Sequence, residues 1–284
     1  MLVASAPLFA LNVVATAPSM GALVTEVAGE RADLTVLAGP DRDLHALQVK
    51  PSMIHALRSA DLVVAIGAEL EVGWLPPAIE RASNPEILPG RPGYFEAAAQ
   101  VPLLDAGGAA DRALGDVHPI GNPHVTMDPV RMAVVAEALA ERLALLDPAG
   151  SAAYRAGAER FATQVEQHVA RWQPRLQSAP GVVLYHRDAI YLLDRFGVPL
   201  LATIEPVPGV PASASHLRRL QSELSGRDGL IIYAPYQSAK PAQRLGSNLG
   251  WDAVRLSLEP PSGSDGSGYL RHLESWVDAI AGVR

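Results

Sequence analysis

The sequence predicts an α/β protein of two similar halves, and three observations carry that prediction. Short runs of β-branched and aliphatic residues alternate with helix-period patterns through about the first 100 residues. The same alternation restarts after residue 180. Between them lies one amphipathic stretch of about 25 residues. Repeated β-loop-α units call for mainly parallel sheets with helices on their faces.

Residues 11–15 (Leu-Asn-Val-Val-Ala) read as a buried strand, followed by a helix over about 19–28. A second strand over 33–38 ends in the loop 39–45. Pro51 opens a helix, because a proline at the first helical position loses no hydrogen bond. A third strand over 61–66 precedes a helix that carries Trp74 and reaches about residue 82. From 104 to 123 the pattern breaks into a loop rich in Gly, Asp and Pro, and loops of that length are usually functional or mobile. After Asp128-Pro129 a helix runs to about residue 146.

Asp147-Pro148 starts the long stretch, with Asp as N-cap and Pro at the first helical position. Tyr154, Ala158, Phe161, Val165, Val169 and Trp172 recur at steps of three or four. The helix is expected to end before Pro174, about 37 Å from its start. Such a helix is either a rigid strut between two lobes or a packing helix inside one large domain. The second half then reads strand 182–185, helix 189–196, strand 199–204, a Pro-rich connection 205–211 and helix 215–225. Strand 230–234, helix 239–249, strand 253–258 and helix 269–281 complete it. No internal repeat is visible at the level of residues.

Composition narrows the function. Hydrophobic residues make up 49% and charged residues 19%, which is globular rather than disordered. The net charge is −7, from 23 Lys+Arg against 30 Asp+Glu, which argues against nucleic acid or an anionic membrane as the main partner. Cysteine is absent, so any metal is held by His, Asp, Glu or carbonyl oxygen. No stretch approaches the roughly 20 apolar residues of a membrane span. The first residues also lack the basic start and long apolar run of a secretory signal.

Ligands of open α/β sheets bind at the carboxyl ends of strands. His45 lies in the loop after the second strand and His186 directly follows the strand over 182–185. His124 ends the long loop, just before a helix start. Three imidazoles and one carboxylate complete a tetrahedral zinc shell, and Glu259 and Asp265 are available after the last strand. His118 sits six residues before His124 and could relay metal from a mobile loop or simply be exposed. His55, His168 and His272 fall inside helices and His216 at a helix start, where structural roles suffice. The chain has no Gly-x-Ser-x-Gly, His-Glu-x-x-His or Gly-x-x-x-x-Gly-Lys pattern.

The string from Gly115 to Pro129, with Asn122-Pro123-His124 and Asp128-Pro129 at its core, resembles the Asn-Pro-His-x-x-x-Asp-Pro motif of zinc and manganese ABC-transporter substrate-binding proteins, the ZnuA/TroA-like cluster A-I. Asp43-Leu44-His45 with Lys50-Pro51-Ser52 resembles that family's first ligand loop. Tyr185-His186-Arg187-Asp188-Ala189 resembles its third. The segment from Ile204 to Pro211, ending at Ser215-His216-Leu217, and the closing helix from Tyr269 are also similar. These matches keep the family's order from about residue 11 to 280.

The resemblance implies two α/β lobes with mainly parallel sheets, joined by a long rigid helix, with metal in the interlobe cleft. It places an N-terminal lobe over 9–147, a linking helix over 148–178 and a C-terminal lobe over 179–284. It implies His45, His124 and His186 as ligands of Zn²⁺, the transported ion. A His in the third position is similar to the zinc branch, and manganese favours oxygen. Asp265 is expected as the fourth ligand, Glu259 as its alternative and His118 as an auxiliary, in a pattern similar to an AztC-like subgroup. Val125-Thr126 replaces the family's aromatic after the second ligand, which predicts looser packing around His124.

The function implied is high-affinity extracytoplasmic capture of Zn²⁺ and its delivery to the membrane subunits of an ABC permease for import, without catalysis. The implied protein is a periplasmic monomer, exported by a signal absent from this sequence. A periplasmic zinc metallochaperone is a candidate second partner and nucleic acid is none. A zinc-dependent hydrolase using a His₃-bound water, with Glu205 or Glu259 as base, and a metal-dependent surface adhesin are the alternatives.

Overall fold

The computed structural model describes residues 10–107, 118–207 and 209–282. The centre of the long loop expected over 104–123 lies outside them, as do the first nine residues and Pro208. Two four-stranded sheets form the scaffold, and every strand pairing among the described residues is parallel. The first contains β1 (Leu11–Ala15), β2 (Ala32–Val36), β3 (Leu62–Ala65) and β4 (Tyr94–Glu96) in the order β2-β1-β3-β4. The second contains β5 (Val182–Leu184), β6 (Leu200–Thr203), β7 (Leu230–Tyr233) and β8 (Ala253–Arg255) in the order β6-β5-β7-β8. The two halves share one topology although their residues share no repeat.

The helices of the first half are α1 (Pro18–Ala28), α2 (Pro51–Arg58), α3 (Leu75–Ala82) and α4 (Pro129–Leu146). Each starts on or beside a proline, as expected where the first N–H has no intrahelical partner. The long helix α5 (Ser151–Leu176) spans 26 residues and packs against α1, α4 and α9. The second half carries α6 (Ile190–Phe196), α7 (Ala214–Leu224), α8 (Ala239–Leu249) and α9 (Gly266–Ala281).

Two differences from the expected elements have simple causes. The strand β4 (Tyr-Phe-Glu) follows Gly90-Arg91-Pro92-Gly93 and lacks the aliphatic run that marks the equally short β5 and β8. Helix α5 continues past Pro174, which falls in its last turn and so removes little of the backbone ladder. It is preceded by a short 3₁₀ turn over Pro148–Gly150, where Asp147 is turned to other work. Its carboxylate accepts hydrogen bonds from Arg31 and from the Tyr154 hydroxyl at 2.6 Å.

Alternation along the strands sorts the cores. In β5, Val182 and Leu184 face inward to a core that also takes Leu62 and Val64 of β3, while Val183 faces an outer layer with α7 and α8. That inner core runs through α1, α4, α5, α6 and α9 and is common to both sheets. The expected stripe on α5 is buried in it at Tyr154, Ala158, Phe161, Val165 and Trp172, with Val169 partly covered. The long helix is thus both connector and packing element. No helix among the described residues is long and apolar enough to cross a membrane.

Candidate metal centre

The carboxyl ends of the two sheets face one another, since the loops that leave them meet. His45, in the loop after β2, and His186, directly after β5, have ring centroids 5.6 Å apart. His124, just ahead of α4, lies 5.3 Å from His45 and 5.5 Å from His186 by the same measure. One ring nitrogen from each of the three falls within 4.8 Å of the others. Residues 79 and 62 positions apart in the chain are therefore brought to a single point.

The two loop histidines are oriented alike. His45 Nδ1 lies 3.0 Å from Asp43 Oδ1, and His186 Nδ1 lies 3.0 Å from Glu205 Oε2. Each carboxylate holds the proton on Nδ1 and leaves Nε2 as a lone-pair donor. Asp43 also accepts the His45 amide, and Glu205 accepts the Gly209 amide, so neither acid swings freely. Burial works to raise the Asp43 pKa, but its bonds and charge interaction with His45 hold it below the usual carboxylate range. The His45 loop is further fixed by Trp74, whose indole N–H donates to the Leu44 carbonyl at 2.7 Å.

His124 is held by other means. It is 7% exposed, and its Nε2 has no hydrogen-bond partner. Burial, then the neighbouring His45, His186 and His118, drives its pKa well below the ordinary value, so the ring is neutral. A buried imidazole nitrogen that is neutral and unbonded is poor for stability and well suited to a cation. The preceding residues explain the motif. Gly121 has φ of +132°, and a Cβ there would lie 2.6 Å from the Leu103 side chain. Asn122 Oδ1 accepts the His124 amide, while its Nδ2 donates to the Arg187 carbonyl, beside His186. One asparagine thereby links two of the histidine-bearing segments. Asp128, fully buried, caps α4 through the Val130 amide and takes two hydrogen bonds from Arg195 on α6.

Tyr191 was not singled out from the sequence. Its hydroxyl donates to the Asn122 carbonyl at 2.6 Å and accepts the Leu104 amide at 2.9 Å. Both feet of the long loop are thus pinned to α6, and the middle of the expected mover, 104–123, lies outside the described residues. A tyrosine amid the apolar residues of a short helix was the available signal, since a buried phenol needs a partner. The looser packing expected at Val125-Thr126 is also absent. Both residues are buried, and the Tyr269 hydroxyl closes over them by donating to the Thr126 carbonyl.

The two carboxylates expected near the metal are engaged in other bonds. Asp265 is the N-cap of α9, its Oδ1 accepting the Gly268 amide at 2.7 Å, and it is not part of the histidine group. The glycine setting that suggested a ligand loop is a helix start. Glu259 is buried and its Oε2 accepts the Ser19 amide at 2.7 Å, in the first turn of α1. Burial pushes its pKa up to about 7. His118, the expected auxiliary, lies beside the group with its Nε2 3.2 Å from His45 Nε2. A polar cavity of about 200 Å³ opens on the site, lined by Asp43, His45, Tyr185, His186, Glu205 and Tyr236.

The chain is similar to known proteins over nearly its whole length. Residues 13–283 match the family described as ZnuA, zinc-uptake complex component A, periplasmic. The chain is 24% identical over 290 residues to a high-affinity zinc uptake system protein ZnuA of Yersinia pestis, covering 95% of this chain and 85% of that one. A crystal structure of ZnuA superposes with a TM-score of 0.80 at 20% identity, over 96% of this chain and 99% of the other. The Pseudomonas aeruginosa substrate-binding protein FpvC in complex with Mn²⁺ gives 0.77 at 24% identity, over 96% and 97%.

Proposed function

The chain belongs to the family of periplasmic zinc-uptake component A proteins, and from that premise we propose that it captures Zn²⁺ outside the cytoplasm and delivers it to an ABC permease for import. The observation that carries the reading is the convergence of His45, His124 and His186 within 4.8 Å. Three imidazoles, two of them oriented by carboxylates, form a nitrogen-rich set suited to zinc and poorly suited to manganese, which prefers oxygen. The zinc named for the family and for the Yersinia pestis relative supports the same choice. The ion is cargo and no bond is made or broken in it. Release requires one of the three nitrogens to withdraw, and the permease is the partner that triggers it.

A competition titration tests this. Metal-stripped protein is titrated with Zn²⁺ and with Mn²⁺ against a calibrated chelator. The expected result is 1:1 zinc binding near a nanomolar dissociation constant, about −12 kcal/mol, with much weaker manganese binding. Equal or stronger manganese binding would replace zinc as the cargo.

A further inference from the structure

We propose that His118 supplies the fourth ligand, so that the cargo is held by four imidazoles and no carboxylate; this rests on the zinc reading above. The distance is the first argument. Two nitrogens bonded to one tetrahedral zinc at 2.0–2.1 Å lie about 3.3–3.4 Å apart. His118 Nε2 and His45 Nε2 lie 3.2 Å apart, the length of one edge of such a tetrahedron; His118 stands outside the 4.8 Å group of the other three, so the ion would have to draw its ring inward to close the remaining edges.

Orientation is the second argument. His45 turns Nδ1 to Asp43, which leaves Nε2, the atom nearest His118, as the metal-facing lone pair. The rings of His45 and His118 sit 5.2 Å apart, as close as those of the three core histidines.

The carboxylates give the third argument. Asp265 is committed to α9 and Glu259 to α1. Asp43 and Glu205 stand behind the imidazoles, on the side away from Nε2. Their charges offset the ion from the second layer, where they also raise imidazole basicity. Among the described residues, none of these four acids takes the fourth position without giving up a bond it already makes. Four borderline nitrogen donors discriminate against manganese more strongly than three with an oxygen. His118 also lies at the loop's second foot, its carbonyl accepting the Gly121 amide at 3.1 Å. Metal binding therefore ties that foot to the cluster.

X-ray absorption at the zinc edge, with the same competition titration, tests the assignment on wild type, His118→Ala, His118→Asp, Glu259→Gln and Asp265→Asn. Four imidazoles are expected in wild type, Glu259→Gln and Asp265→Asn, and three with one oxygen in His118→Ala. His118→Ala is expected to lose roughly tenfold or more in zinc affinity, and His118→Asp to shift preference toward manganese. Three imidazoles in wild type, with zinc affinity unchanged in His118→Ala, would overturn the proposal while leaving zinc capture intact. Loss of the oxygen in Glu259→Gln or Asp265→Asn would then name the carboxylate. Absence of tight zinc binding in wild type overturns both readings together.

Discussion

His45 and His186 come from different sheets yet are built alike, whereas His124, between them in sequence, is built differently. The first two sit in loops at strand ends with a carboxylate on Nδ1. The third has no acid behind it; it is positioned through its backbone by Asn122 and sealed by burial. A loop residue needs a partner to fix its ring, and an acid does this while strengthening the donor. A residue packed at a helix start is already fixed, so removing its alternatives is enough. The proposed site thus combines two tuned imidazoles with one immobile anchor.

Breaking the anchor has the largest expected effect on zinc affinity. His124→Ala removes a ligand and should weaken binding by more than the ~10–100-fold typical of lost partners behind ligands, read by chelator competition. Asp43→Asn and Glu205→Gln should each fall inside that ~10–100-fold window, since ligand and fold remain. If either leaves affinity unchanged, the carboxylates only steady their loops. Asn122→Ala is expected to cost about 1 kcal/mol, roughly fivefold, as one net hydrogen bond. It should act on His124 and His186 together, so a double change with Glu205→Gln would not be additive.

Glu259→Gln should leave zinc affinity unchanged and show itself in stability. Between about pH 4.5 and 7 the folded chain keeps a proton on Glu259 that the unfolded chain releases. Stability from this group is therefore full below pH 4.5 and lost as pH rises to 7, by up to about 3 kcal/mol at ~1.4 kcal/mol per pH unit. Urea denaturation of the metal-free protein should show that slope in wild type and a flatter one in the variant. An unchanged slope would mean that the carboxylate ionises freely in the fold.

The histidines were legible because each obeys a positional rule. His45 and His186 follow strands, and His124 sits in an ordered motif whose Asn and Asp now have specific bonds. The acids were not legible, because the same residue serves two purposes at the same kind of place. Asp265 before Gly266 and Gly268 reads equally as a ligand loop and as an N-cap, and only the fold chooses. The strands were readable even at the three residues of β5 and β8, while β4, Tyr-Phe-Glu set directly after a Gly/Pro-rich turn, was not. Tyr191 escaped because its role depends on a carbonyl 69 positions away.

The inner core shared by both sheets has a consequence for heating. Each half keeps an outer apolar layer of its own, but neither owns the inner one, because α5, α6 and α9 complete it jointly with α1 and α4. The chain should therefore melt in one calorimetric peak whose van't Hoff and measured enthalpies agree. Expressed apart, residues 9–147 and 179–284 would each expose a wet apolar wall and clump rather than fold.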